Sequence, residues 1–186
     1  MSGPGISEVE LADPPWAGLS QTARLAGQGD AGALAELVSQ TSTTVWRVCA
    51  ALVDRDSAED LTQDTYLRAI RSLPTYRGDA DPKRWLVTIA RRVCAEEIAR
   101  RQKLRLVAVR LRAERPATVT DPAAIVVLSD GLQRLTPQRR DAFVLTAIAG
   151  FSYAEAAVIC DCPIGTIRSR VARARAELTV LLQSSR

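Results

Sequence analysis

Apolar residues recur along the chain at three- and four-residue steps, the period of helices that bury one face. Leu25, Leu34, Leu37, Val38, Val45, Trp46, Cys49 and Leu52 form one series, broken between Gly27 and Gly32, so a short helix, a turn and a longer helix are expected. Asp56, Ser57 and Glu59 then make a helix-opening combination, a short polar cap followed by acid at the positive helix end. In the helix they open, Leu61, Tyr66, Leu67 and Ile70 are expected to face the core. A Pro/Gly-bounded loop occupies 73–82, and a new helix opens near Pro82 or Lys83 with Trp85, Leu86, Ile89, Val93 and Ile98 on one side. Pro116 and Pro122 mark a linker. Beyond it, Ile125, Val126, Leu128, Leu132 and Leu135 predict one helix, and Thr136-Pro137 opens another that carries Phe143, Val144 and Ile148 and closes at Gly150.

The last pattern is the most specific. Ser152 and Glu155 form a capping box, Ala156, Ala157 and Ile159 supply a closely packing face, and 161–163 turn the chain. Ile164, Ile167 and Val171 are the buried stripe of a second helix. The fold class is therefore all-α: two small helical domains joined by a flexible linker, the second with a helix-turn-helix. The expected boundaries are a flexible acidic arm over 1–19, a first domain over 20–101, a linker over 102–124, a second domain over 125–182 and a tail over 183–186. Trp16 either anchors the arm in a groove or lies against the domain.

Composition agrees with helices. Of 186 residues, 47% are hydrophobic but only 4% aromatic, so the cores rest on Ala, Leu, Val and Ile. Histidine is absent, which removes the commonest near-neutral acid/base and the commonest nitrogen metal ligand. Cys49, Cys94, Cys160 and Cys162 contain no Cys-x-x-Cys pair; structural thiols are the leading reading, ahead of a redox pair of Cys160 with Cys162 and of a metal site. No cofactor is expected. No signal-peptide pattern opens the chain, and no apolar run approaches the roughly 18 to 20 residues of a membrane span, so a cytoplasmic location is expected.

Charge is modest in total, +4, but unevenly placed. Asp54, Asp56, Glu59, Asp60 and Asp64 against Arg55 give a patch of −4, whereas 83–112 holds ten bases against Glu96 and Glu97, net +8. Such separation suits a protein that meets one macromolecule with one face and a polyanion with another. All but two of the 25 basic residues are arginines, the side chain best shaped for phosphates and base edges, although a base-composition bias of the genome produces the same excess. Between Ile164 and Ala176 there is no acid, while Thr166, Arg168, Ser169, Arg170, Arg173 and Arg175 stand off the buried stripe. A solvated helix face ordinarily mixes acids with bases; this one fits a recognition helix in a major groove, to which the helix at Arg139 and Arg140 could add phosphate contacts that position the fold without reading sequence.

One helix-turn-helix domain leaves the acidic helix and the +8 helix unexplained. The ordered segments Asp60-Leu-Thr-Gln-Asp-Thr-Tyr-Leu-Arg-Ala69, Tyr76-Arg-Gly-Asp79, Trp85-Leu-Val-Thr-Ile-Ala-Arg91, Leu135-Thr-Pro-Gln-Arg-Arg140, Gly150-Phe-Ser-Tyr-Ala-Glu-Ala-Ala157 and Gly165-Thr-Ile-Arg-Ser-Arg-Val-Ala-Arg-Ala-Arg175 resemble the small two-domain bacterial sigma factors of the extracytoplasmic-function group, within the sigma-70 family. The layout is most similar to the actinobacterial sigma factor C type, over roughly residues 20 to 182.

The resemblance implies a protein that binds core RNA polymerase, recognises promoter DNA at the −10 and −35 elements, and promotes melting and initiation. It places polymerase contact on Asp60, Leu61, Gln63 and Asp64 with Leu67 in support. It places the single-stranded −10 site on Tyr76, Arg77, Gly78 and Asp79 with Arg84, Arg91 and Arg92 behind. Duplex −35 contact falls on Arg139, Thr166, Arg168, Ser169, Arg170 and Arg173. An anti-sigma factor is a further partner that the family implies. One departure stands out: Ile89-Ala-Arg-Arg92 replaces the common Ile-Ala-Arg-Asn, exchanging an adenine-reading amide for a group that prefers guanine or phosphate.

Other readings follow from the same residues. A stand-alone helix-turn-helix regulator would bind duplex DNA as a dimer, and an adaptor would use the acidic helix alone. An enzyme built on Asp54, Asp56, Asp60 and Asp64 lacks a phosphate loop and a histidine, so the chain is expected not to be an enzyme.

Overall fold

The structure is a computed structural model and describes residues 17–111 and 130–184. It is all helical, in two units. Helix α1 (Ala17–Gly27), α2 (Ala31–Leu52), α3 (Ala58–Ser72) and α4 (Pro82–Leu111) form the first, with a 3₁₀ turn, Leu73–Thr75, between α3 and α4. The second contains a helical segment at 130–134, then α5 (Pro137–Phe143), a π-turn (Val144–Ile148), α6 (Tyr153–Cys160) and α7 (Ile164–Ser184).

The local chemistry of the boundaries follows the sequence closely. Gly29 takes φ +97, and Asp30 caps α2 by accepting the Ala33 N–H at 2.9 Å. The Ser152–Glu155 capping box is complete, and Asp161, at φ 49, reverses the chain between α6 and α7. Ser57 occupies the N-cap of α3, but its own N–H is the group that is satisfied, by Asp54 Oδ1 at 2.8 Å.

Two helices cross the expected domain bounds, and one expectation is corrected. Helix α1 already begins at Ala17, inside the expected arm, and α4 runs past Arg101 to Leu111, into the expected linker. Nothing in 102–111 breaks a helix, and the prolines that end such a run come later. On α3 the buried face is Ala58, Leu61, Thr62, Thr65 and Ala69, while Leu67 and Ile70 are 56% and 42% exposed. Thr62 and Thr65 donate their hydroxyls to Ala58 and Leu61 carbonyls, both at 2.7 Å, so each enters the core with its polar atom satisfied. Residues 1–16 of the arm, Trp16 among them, and Ile125 through Leu128 lie outside the described residues.

Aliphatic packing holds each unit. Leu37 and Leu86 are buried in the first and Leu145 and Ile167 in the second, each burial stabilising by about 1.5–3 kcal/mol relative to exposure. Among the described residues no buried side-chain polar atom lacks a partner.

The two units also touch. Arg140 of α5 is buried at their seam: Nε donates to the Leu132 carbonyl at 2.8 Å, and Nη1 to the Leu52 carbonyl, in the first unit, at 2.9 Å and to Gln133 Oε1 at 2.7 Å. Nη2 donates to the Gln133 carbonyl at 2.7 Å, and Gln133 itself donates to the Val53 carbonyl. A cleft of about 230 Å³ lies along the seam, lined in part by Leu52, Arg91, Cys94, Ile98, Arg140 and Asp141.

Candidate nucleic-acid interface

Helix α7 buries Ile167, Val171, Ala174 and Leu178, leaving Arg168, Ser169, Arg173 and Arg175 exposed and Thr166 half-buried. Arg170 is half-buried with Nη1 3.7 Å from Cys162 Sγ, so it also braces the turn that aims the helix. Val158, 65% exposed, places an apolar side chain on the same helix-turn-helix. Arg139 differs from the other basic candidates because its guanidinium is paired with Glu177 across α5 and α7.

The 76–81 loop is tied down at several points. Tyr76 donates its hydroxyl to the Ala80 carbonyl and lies 3.2 Å from Ser20 Oγ of α1, while its ring stands 5.2 Å from that of Trp85. Burial raises the Tyr76 pKa, against the Ser20 hydrogen bond. Tyr76 therefore serves as the loop's internal brace, with Trp85 behind it. Gly78 takes φ +86, a conformation that needs glycine, and Arg77 and Asp79 are exposed on either side. Asp81 Oδ1 accepts the Lys83 N–H at 2.8 Å and opens α4.

The arginines of α4 divide. Arg92 is exposed and Arg84 half-buried. Arg91 instead faces the second unit, donating Nε to Asp141 at 2.7 Å and Nη1 to the Ile159 carbonyl at 3.5 Å. Burial depresses its pKa, but the Asp141 hydrogen bond and charge outweigh it and raise the net value.

On α3, Asp60 and Gln63 are exposed beside Leu67 and Ile70, which creates an apolar centre with an acidic rim. Asp64 is engaged by Arg68 at 3.0 Å, and Arg68 also reaches Glu96 at 2.7 Å. Leu61 belongs to the core. The acidic patch is likewise anchored: Asp54 pairs with Arg101, which donates to Glu97 at 2.6 Å, and Arg100 meets Glu97 at 2.7 Å. The hydrogen bonds from Arg100 and Arg101 hold the Glu97 carboxyl down to about 2.

Cys49 and Cys94 are buried between α2 and α4; contact with Cys49 and burial push the Cys94 thiol up. Burial likewise pushes Cys160 up to about 11. The thiols of Cys94 and Cys160, held protonated in this way, are poor nucleophiles and poor ligands. Among the described residues no group of three or more His, Cys, Asp or Glu could hold a metal ion, and no helix is long and apolar enough to cross a membrane.

The sequence pattern did not single out Ser20 and Arg24 of α1, both placed by the structure against the 76–80 loop. Their signal was a four-residue spacing on a helix whose partner segment lies some fifty residues away, invisible until the fold is known.

This geometry defines a two-part helical protein with an exposed acidic-apolar face in its first half and a basic helix-turn-helix in its second. Two family models match it in the same order: Sigma-70 region 2 over residues 37–104 and Sigma-70, region 4 over residues 125–178. The ECF RNA polymerase sigma factor SigC of Mycobacterium tuberculosis is 40% identical over 157 residues, covering 81% of this chain and 83% of that protein. The ECF RNA polymerase sigma factor EcfG of Rhodopseudomonas palustris is 34% identical over 130 residues, covering 68% and 72%. Among solved structures, CnrH in complex with the cytosolic domain of CnrY aligns with TM-score 0.70 at 25% identity, over 89% of this chain and 97% of that one. The sigma factor RpoE in complex with the anti-sigma factor NepR, from Bartonella quintana, aligns with TM-score 0.68 at 31% identity, over 81% and 97%. The chain belongs to the extracytoplasmic-function sigma factors of the sigma-70 family. Sigma factors are not catalysts, and the site residues have binding to explain, not bond-making.

Proposed function

We infer that this chain directs core RNA polymerase to promoters, in the manner of the sigma factor C type. Residues 20–101 act as the region that holds polymerase and the −10 element, 125–182 as the −35 reader, 102–124 as the joining segment, and 1–19 and 183–186 as terminal extensions. The observation that carries this reading is the exposed Leu67 and Ile70 beside Asp60 and Gln63, in the same chain as a basic helix that carries no acid over 164–176. A regulator that works alone on duplex DNA has no use for the first of these.

In this reading the α3 face docks on polymerase, with Leu67 as its apolar centre and Asp60, Gln63 and Asp64 as its rim. Thr166, Arg168, Ser169, Arg170 and Arg173 contact the −35 duplex. Extruding a base costs a few kcal/mol, offset when a pocket traps it and cations hold the strand. The 76–79 loop supplies the pocket, and Arg77, Arg84 and Arg92 supply charge; Arg91 joins them only after leaving Asp141. The reaction itself belongs to the polymerase, so the chain acts where DNA and polymerase are, in the cytoplasm. The relatives solved with CnrY and NepR support an anti-sigma factor as a further partner.

The test is transcription of genomic DNA by core polymerase with and without this protein, followed by sequencing of RNA 5′ ends. New starts that share two spaced upstream elements are expected. No new starts, together with tight dimeric binding to duplex DNA without polymerase, would establish the stand-alone regulator instead.

A further inference from the structure

Three residues on one face of α1 meet the 73–80 segment in succession. Gly27 lies so close that a Cβ there would stand 2.6 Å from the Leu73 carbonyl oxygen, Ser20 meets the Tyr76 hydroxyl, and Arg24 lies along Gly78. A Cβ built on Gly78 would sit 3.5 Å from Arg24 Cδ, 3.7 Å from Nε and 3.8 Å from Nη1. The arginine therefore lies at van der Waals distance along the face of Gly78.

A cation in the last turn of α1 is favoured by the helix dipole, which accounts for an arginine there but not for its course across the loop. Among the described residues no carboxylate comes within ion-pair distance of Arg24, in contrast to Arg68, Arg91, Arg100, Arg101 and Arg139. Its donors remain available to an anion, and so do those of the exposed Arg77. Asp79, also exposed, supplies the opposing charge and prevents a uniformly positive loop.

We propose that Arg24 is part of the single-strand DNA site and contacts a backbone phosphate next to the base held by the 76–79 loop. This rests on the reading of that loop given above. Extruding one base exposes the phosphates that flank it, and a guanidinium anchored on a rigid helix can meet one of them without ordering a second flexible segment. The contact is to backbone, so it adds affinity without sequence preference.

The experiment uses the full chain with core polymerase and a genomic fragment on which the wild type gives permanganate-reactive thymines, rebuilt with those positions mismatched. Affinity is measured against salt for wild type, Arg24→Ala, Arg24→Lys and Arg77→Ala, with thermal unfolding of each free variant as the folding control. Arg24→Ala is expected to weaken binding and to flatten the log-affinity against log-salt slope by about 0.7, the value of one phosphate on a single strand, while Arg24→Lys restores most of both. An unchanged slope in Arg24→Ala with a reduced one in Arg77→Ala would overturn the role of Arg24 and leave the loop reading intact. Unchanged slopes in both, or no reactive fragment with wild type, would overturn the loop reading and the proposal with it. If Arg24→Ala lowers the melting temperature and Arg24→Lys restores the fold but not the salt slope, Arg24 is only a brace and the proposal fails.

Discussion

Arg91 of α4 and Asp141 of α5 meet at 2.7 Å across the seam between the two helical units, so an arginine expected at the −10 strand is held by the second unit instead. Neutralising the acid should separate them. Asp141→Asn is expected to remove roughly 1 to 3 kcal/mol from the seam, the range for hydrogen bonds to charged groups, and to lengthen the distance between spin labels on exposed sites of α1 and α7. An unchanged label distance would show that the other seam contacts suffice.

The exposed face of α3 predicts where polymerase affinity resides. Leu67→Ser should cost about 1 to 2 kcal/mol of core binding with no loss of helicity, since the side chain already faces solvent. Asp60→Lys should weaken binding further by placing like charge at the rim. Titration with core polymerase and circular dichroism of the free protein check both.

Arg168 and Arg173 are exposed, and their loss should act on duplex recognition alone. Alanine at either should cost roughly 1 to 3 kcal/mol of discrimination where the arginine makes a bidentate base contact. The loss should shrink on a template whose upstream element is deleted. Arg170→Ala is a less clean probe, because the same side chain reaches Cys162.

Tyr76→Phe keeps the ring against Trp85 and removes the hydroxyl that joins Ala80 and Ser20. Open-complex formation on a duplex promoter should fall, and a pre-melted −10 bubble should recover part of the rate. Equal rates for the variant and wild type on duplex would mean that the tether has no part in melting. Permanganate footprinting measures both.

How much of this was legible before the fold was known depended on how local each feature is. The Ser152–Glu155 capping box, the turn at Asp161 and the buried stripe Ile167–Val171 are encoded within a few residues and stand where the spacing puts them. The buried face of α3 was misread because Thr62 and Thr65 count as polar on any scale until their hydroxyls are seen to bond within their own helix. The seam was out of reach altogether: Arg91, Arg140 and Asp141 are ordinary surface residues by type, and only the packing of the two units supplies Leu52 and Ile159 carbonyls as partners. The contacts of Tyr76 with Ala80, Ser20 and Trp85 were likewise hidden, since an aromatic beside an arginine fits stacking on a base and bracing a loop equally well.

Glu97 gives a pH signature. Its folded pKa, about 2, lies below the ordinary value of 4.5, so its contribution to stability is fully present above that value and is lost as pH falls from 4.5 toward 2. Arg100 is exposed and Arg101 a third exposed, and ion pairs this open to solvent on one side are worth about 1 kcal/mol. Urea midpoints of wild type and Glu97→Gln should therefore differ slightly at pH 7 and converge as the pH approaches 2. A gap that persists undiminished at pH 2 would trace to packing rather than charge.

Arg140 carries its charge across the seam on carbonyl and amide dipoles, with no carboxylate among its hydrogen-bond partners. An ion solvated in this way has exchanged one dipolar shell for another, and water can take the exchange back when the units part. This contact should therefore respond weakly to salt and to neutral pH shifts but strongly to hydration. Osmolytes that raise the cost of wetting protein surface should favour the joined form, and crowded, dehydrating conditions should hold more molecules in it than dilute buffer does.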